Sequence, residues 1–313
     1  MSFSFLLILL TFPKFSYLTR FTNAAKNGDL QTVRSLVWRT DINERDETPY
    51  SQNKNTALIW ASINGHYWTA KELLEAKADV HLVNGDDQTA LDLAVSRGNA
   101  AIVDLLIKAK SDVNRVQLNS RATPIIYPAI EVRTDVIKLL INAKANLNHE
   151  YGAGQTALSW AACKNHFDAL KMLIDANANI NHVDNDGCTA LMIVSRMAHV
   201  TENVFHLLIK SKTDIEKQSN GKTALMLAVD NNHVAVDLLV LYGADTSQVS
   251  ENVVVQSAIR KKLKSEFDSF LLCSDFVKGL PDDANSHIID VVVSTIESIV
   301  PDFSFLRDLE DSI

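Results

Sequence analysis

The chain has 313 residues, 47% of them hydrophobic, with only 10 glycines and 6 prolines. Such a composition can bury a continuous core and argues against extended disorder. The formal net charge of −8 gives no long-range attraction to phosphate backbones, and no basic stripe with interleaved aromatics offsets it, so nucleic acid is set aside as a partner.

At the amino end, Met1 to Leu10 is an apolar run with the length of a signal-peptide core. No Lys or Arg precedes it and no small-x-small cleavage site comes after it. It is too short to span a bilayer. Residues 1–18 are read as an apolar segment that caps the rest of the chain, with an export signal as the alternative.

From Thr19 the chain repeats. A weak copy at Thr19, Phe21, Ala24 and Gly28 precedes Thr56, Thr89, Thr123, Thr156, Thr189 and Thr223, spaced by 33 or 34 residues. Each of these opens a phrase of the form Thr-(Ala/Pro)-(Leu/Ile), as in Thr56-Ala-Leu-Ile-Trp-Ala61 and Thr156-Ala-Leu-Ser-Trp-Ala161. A threonine hydroxyl accepts from an otherwise unpaired helix amide, so a helix is expected to start at each Thr. Pro124 fits the first helical position, where a missing N–H does no harm. Nine residues on, Gly65, Gly98, Asn165 and Asn232 tolerate positive φ and end the first helix. A second apolar run comes next, such as Ile102-Val103-Asp104-Leu105-Leu106-Ile107, and polar turns such as Asn84-Gly85-Asp86-Asp87 close the unit as projecting fingers. One such helix pair is too small to bury a core alone, so the units must stack.

These phrases resemble the ankyrin repeat, as do the closing Lys77-Ala78-Asp79-Val80, Ala145-Asn146-Leu147-Asn148, Ala178-Asn179-Ile180-Asn181 and Gly243-Ala244-Asp245. The resemblance covers Thr19 to Asp245 and implies an all-α solenoid that holds protein partners. The family's His three residues after the Thr is replaced here by Ile59, Asp92, Ile126, Ser159, Met192 and Met226, so the side-chain bond that ties each unit's start is expected to be largely lost. Pro128 and Val132 stand where Ala and Gly are expected, which marks that unit as distorted. Two extra residues near Met197 to Asn203 point the same way for a later unit.

The family's geometry places partner contacts on a concave surface of finger tips and first-helix ends. Carried over, that surface comprises Asp86, Gln88, Ser96 and Arg97; Ser120, Ile130 and Glu131; Gln155 and Lys164; Asp186, Arg196 and Met197; then Asn220, Asp230 and Asn231. Trp60, Tyr127 and Trp160 occupy a position that family members pack between helices, so they are expected in the core. The stretch Leu106 to Asn114 resembles the ankyrin motif hydroxylated at Asn in animal cells, which makes Asn114 a candidate modification site.

Cys163, Cys188 and Cys273 are an odd number at no metal-like spacing, as free thiols in a reducing compartment would be. Cys273 with His287 and Asp290 could be imagined as a nucleophilic triad, but no oxyanion hole or strained nucleophile turn accompanies it. His66, His166, His199 and His233 recur just after the first helix and are read as structural. His149 and His182 lie one unit apart, too far to share a metal without convergence of their side chains.

After Asp245 the period stops. Ser250 can cap a helix from near Asn252 whose Val255, Ile259, Leu263, Phe267 and Leu271 form one stripe, sealing the last unit. Beyond it, Leu280-Pro281-Asp282-Asp283 and the apolar run from Ile288 resemble the opening of an F-box, which would make the chain a ubiquitin-ligase adaptor. The alternatives are a plain helical cap and an acidic targeting tail of the kind carried by secreted effectors. Taken together, the sequence describes three regions: the apolar segment 1–18, an ankyrin-repeat domain 19–249, and a helical cap or interaction segment 250–313. The expected protein is a monomeric, non-enzymatic, cytoplasmic scaffold with no cofactor and no small-molecule substrate. Export, or a host-cell cytosol, is the alternative should either end be a targeting signal.

Overall fold

The structure, a computed structural model, describes residues 20–46, 53–197, 201–229, 233–259, 261–262 and 265. Helices come in pairs. The first pair is α1 (residues 20–27) and α2 (Leu30–Leu36). After it come α3 (Ala57–Ile63) with α4 (Tyr67–Glu75), α5 (Ala90–Arg97) with α6 (Ala100–Lys108), and α7 (Ile126–Glu131) with α8 (Thr134–Asn142). The later pairs are α9 (Ala157–Cys163) with α10 (Phe167–Asp175), α11 (Ala190–Ser195) with α12 (Glu202–Lys210), and α13 (Ala224–Ala228) with α14 (His233–Leu241). A further helix, α15, covers residues 253–259.

From α2 to α14 these helices hold nine residues at most, too few to be stable alone in water, so stacking must supply their stability. First helices pack on first helices from α3 through α13, and second helices on second helices from α2 through α14, giving two layers. The sequence shows how. Ala57, Ala90, Ala157, Ala190 and Ala224 at the first helical position, with Ala61, Ala94, Ala161 and Ala228 four residues later, are at most 1% exposed and let the first helices approach closely. Leu73, Leu106, Leu140, Leu173, Leu208 and Leu239 put a fully buried leucine at the same place in each second helix from α4 to α14.

Thr56, Thr89, Thr156, Thr189 and Thr223 are N-caps with extended backbone, each hydroxyl accepting from the amide three residues on. Thr123 departs from the expectation. Pro128 has no N–H to give to a turn begun at Thr123, so α7 starts at Ile126 instead, after a tight turn in which Ile126 N donates to Thr123 O at 3.1 Å. That delay puts Pro128 in the first helical turn, where no N–H is needed, and so removes most of the penalty expected of it. The hydroxyl of Thr123 is left buried and unpaired. Val132 then closes α7 in the left-handed region, at φ 57° and ψ 46°.

The second helices end in a way the sequence conceals. Lys77, Lys110, Lys144 and Lys212 adopt positive φ, where Gly243 does so in the last pair. Behind them, Ala78, Ser111, Ala145 and Ala244 N–H groups donate back to Leu73, Leu106, Leu140 and Leu239 carbonyls. This is the glycine-type helix stop, built with lysines.

Candidate protein-binding face

The residue four positions after each Thr lies in its first helix, and the one eight positions after it lies at the helix end or just past it; where the helix runs that far, as in α5 and α7, the two share one face. Trp60, Tyr127 and Trp160 hold the first of these positions, and Arg97, Glu131, Lys164 and Met197 the second. Contrary to the expectation of core packing, all three aromatics are half-buried, and Tyr127 packs against the core. The Lys26 ammonium of α1 stands over the Trp60 ring, 4.4 Å from its centroid, so the first two units touch at this edge.

Among the residues singled out from sequence, Asp86, Arg97, Glu131, Lys164, Asp186, Arg196 and Asn220 are exposed, while Gln88, Ser96, Ser120, Ile130, Gln155 and Met197 are half-buried. Gln88 N donates to Asn84 Oδ1 and Gln88 O accepts from Asn84 N, so this residue shapes its finger. Ser120 Oγ donates to Gln117 Oε1 at 2.7 Å, and Gln155 pairs with Tyr151 through two backbone bonds. Asp230 and Asn231 lie outside the described residues, as do Cys273, the segment from Leu280 and the stretch 1–18.

Tyr151 escapes sequence reasoning because it belongs to a finger and has no counterpart in the other units. Its ring bridges Tyr127 and Trp160, with centroids 6.0 Å and 6.2 Å away, so that finger and helices form one aromatic ledge. A hydrogen bond with the Tyr127 hydroxyl, and after it partial burial, hold the Tyr151 phenol above its ordinary value. The indole N–H of Trp160 is buried without an acceptor.

Two further groups set the fingers. Arg115 reaches back one unit to Asp87 Oδ1 at 2.6 Å and to the buried Asp92 carboxylate at 3.3 Å. Asp92 in turn accepts from both Thr89 N and Thr89 Oγ1 at 2.8 Å, so it performs the tie that the missing histidine would have made. Of the histidines found from their spacing, two are joints between units: His66 Nε2 lies 2.9 Å from Lys26 O, and His166 Nδ1 3.0 Å from Ala129 O; His199 and the side chain of His233 lie outside what is described. His149 and His182 are each engaged with a carbonyl of the preceding unit, Arg121 O and Gly154 O. Among the described residues no three His, Cys, Asp or Glu side chains converge as metal ligands, and no helix is long and apolar enough to cross a membrane. Cys188 is buried, with its thiol 3.6 Å from Ser219 Oγ, and Cys163 is half-buried; both are free thiols. What this surface offers is an elongated row of charges, aromatics and finger tips.

Comparison with known proteins agrees with that description. The family model for ankyrin repeats matches residues 21–117, 110–184 and 176–250. The chain is similar to the palmitoyltransferase AKR1 of Kluyveromyces lactis, 31% identical over 149 residues, which are 46% of this chain and 20% of that protein. It is also similar to the NAD-capped RNA hydrolase NUDT12 of Macaca fascicularis, 37% identical over 100 residues, or 31% of this chain and 21% of that protein. The chain thus spans about a fifth of the length of these curated relatives. Among solved structures, the human ASB11 ankyrin repeat domain superposes with a TM-score of 0.60 at 27% identity, covering 72% of this chain and 98% of that one.

Proposed function

Because the chain belongs to the ankyrin-repeat family, we propose that it is a non-catalytic scaffold whose first-helix stripe and finger tips hold a protein partner. The observation that carries this reading is the aromatic ledge of Tyr127, Tyr151 and Trp160, half-exposed amid the polar finger tips. Half-buried aromatics on a rigid support are the side chains that dominate binding energy at protein interfaces. Near the ends of the first helices, Arg97, Lys164 and Arg196, the last beside Met197, carry charge that selects among partners and speeds encounter. We place the protein in the cytoplasm, in keeping with its free Cys163 and Cys188.

Affinity capture tests the reading directly. The wild-type chain and an Arg97→Glu, Arg196→Glu variant would be used side by side from the same extract. Partners recovered by the first and lost by the second support the face; identical partner sets would show that recognition lies elsewhere on the molecule.

A further inference from the structure

The first-helix ends of the binding face carry a charge of their own, opposite to that of the whole chain, while the finger tips present Asp86 and Asp186. Arg97, Lys164 and Arg196 are exposed at the ends of α5, α9 and α11, and none of the three is paired with a carboxylate among the described residues. Among the described residues at these helix ends the one acid is Glu131, at the end of α7, and it is held by Arg133 at 2.7 Å; Asp230 lies outside the described residues. A row of cations thus stands on a protein of net charge −8. The uncharged ledge of Tyr127, Tyr151 and Trp160 lies between Arg97 on one side and Arg196 on the other, because α7 and α9 sit between α5 and α11 in the stack.

We propose that this face takes an acidic, extended segment of a partner protein, an inference that rests on the proposed scaffold role and specifies the partner's chemistry. One apolar side chain of the segment lies on the ledge, and carboxylates on either side meet Arg97 and the Lys164–Arg196 pair. The stack sets the spacing. Adjacent helices pack about 8–10 Å apart, and an extended chain advances about 3.3 Å per residue. Carboxylates meeting Lys164 and Arg196 therefore stand about three residues apart, and the one meeting Arg97 lies about five or six residues before the nearer of them. The buried indole N–H of Trp160 adds a donor without an acceptor at the centre, which a small rotation of the ring offers to a carbonyl of the bound segment. A basic segment would face the three cations and be repelled.

The probe is a displayed library of random peptides of about twelve residues, selected at low salt on the immobilised full-length chain. Enriched peptides are expected to carry net negative charge and an apolar residue between acids. Labelled for fluorescence anisotropy, they should lose about tenfold or more in affinity with Lys164→Glu plus Arg196→Glu, and weaken as salt is raised. The exposed second-helix change Lys138→Glu, which matches the charge removed at one site, should leave binding unaltered. All these positions are exposed, so folding is retained, and circular dichroism checks it. Neutral or basic peptides whose binding is lost with Trp160→Leu would overturn the acidic segment and leave the face standing. Peptides indifferent to every one of these changes would overturn both. No enrichment at all would overturn the acidic segment, with the capture experiment still deciding the face.

Discussion

The backbone N–H of Asn146 donates to the side-chain Oδ1 of Asn114 across two successive units, at 2.6 Å. The same rung joins Asp79 N to Asn43, Asn179 N to Asn148, Asp214 N to Asn181 and Asp245 N to Glu216. His81 stands where the ladder would continue toward Asp112, and no such rung is found there among the described residues. His81→Asn is therefore expected to add one exposed hydrogen bond, raising stability by about 0.5–1 kcal/mol. Urea denaturation of both proteins measures it; an unchanged midpoint would remove the ladder from the account of stability.

Asn114 remains the proposed modification site, and its position adds a condition. Oδ1 is occupied by Asn146 N and Nδ2 lies 3.4 Å from Lys144 O, so a hydroxylase must first open this rung. Mass spectrometry of protein recovered from animal cells is expected to show an added oxygen at Asn114; none there ends the proposal.

Arg115 neutralises two acids, one of them Asp92, whose side chain is 1% exposed. Arg115→Ala leaves that carboxylate buried without its cation. The loss is expected to be about 2–3 kcal/mol, below the 3–5 kcal/mol of a fully buried pair because Arg115 itself is 22% exposed. Adding Asp92→Asn should recover part of it, since the buried charge is then gone. A double-mutant cycle reads the coupling, and purely additive losses would contradict it.

At Val132 a β-branched residue closes α7 with positive φ, and 49% of its surface is exposed. The left-handed conformation costs an L-residue about 1–2 kcal/mol, while little burial is forfeited by truncation. Val132→Gly is thus expected to stabilise the chain by about 1 kcal/mol. A lower melting temperature would mean that the valine packs better than its exposure implies.

Asp29 caps α2 by accepting from Thr32 N at 3.0 Å, and the hydrogen bonds from Thr32 hold its carboxyl below the ordinary 3.8. A depressed carboxyl contributes stability above its unfolded value and loses that contribution as pH falls through the folded one. The melting temperature of Asp29→Ala should therefore lie below that of the parent near neutrality, and the gap should narrow below about pH 4. A gap constant with pH would show that the cap acts without its charge.

Much of this is legible in the residues. Threonines at a fixed period, alanines one and five positions later and a buried leucine in each second helix are local signals repeated until chance is no explanation, and they fix the stacking. Thr123 fails as a helix start because Pro128, five residues away, decides where a turn can close. The repeat position that family members pack between helices points Trp60, Tyr127 and Trp160 to the core, yet it does not tell how much of each ring stays exposed. Tyr151 leaves no signal, since a finger residue present in one unit has no period. Asp92 reads as a lost histidine in the sequence, and its role becomes visible only with Arg115, 23 positions on, beside it.

Hydrogen exchange of the full-length chain, with and without a partner recovered by capture, tests the central claim most directly. Protection is expected at the ends of α7, α9 and α11 and in the finger around Tyr151, with the second helices α6, α8 and α10 unchanged. Protection confined to those second helices, or to the residues beyond 265, would contradict it.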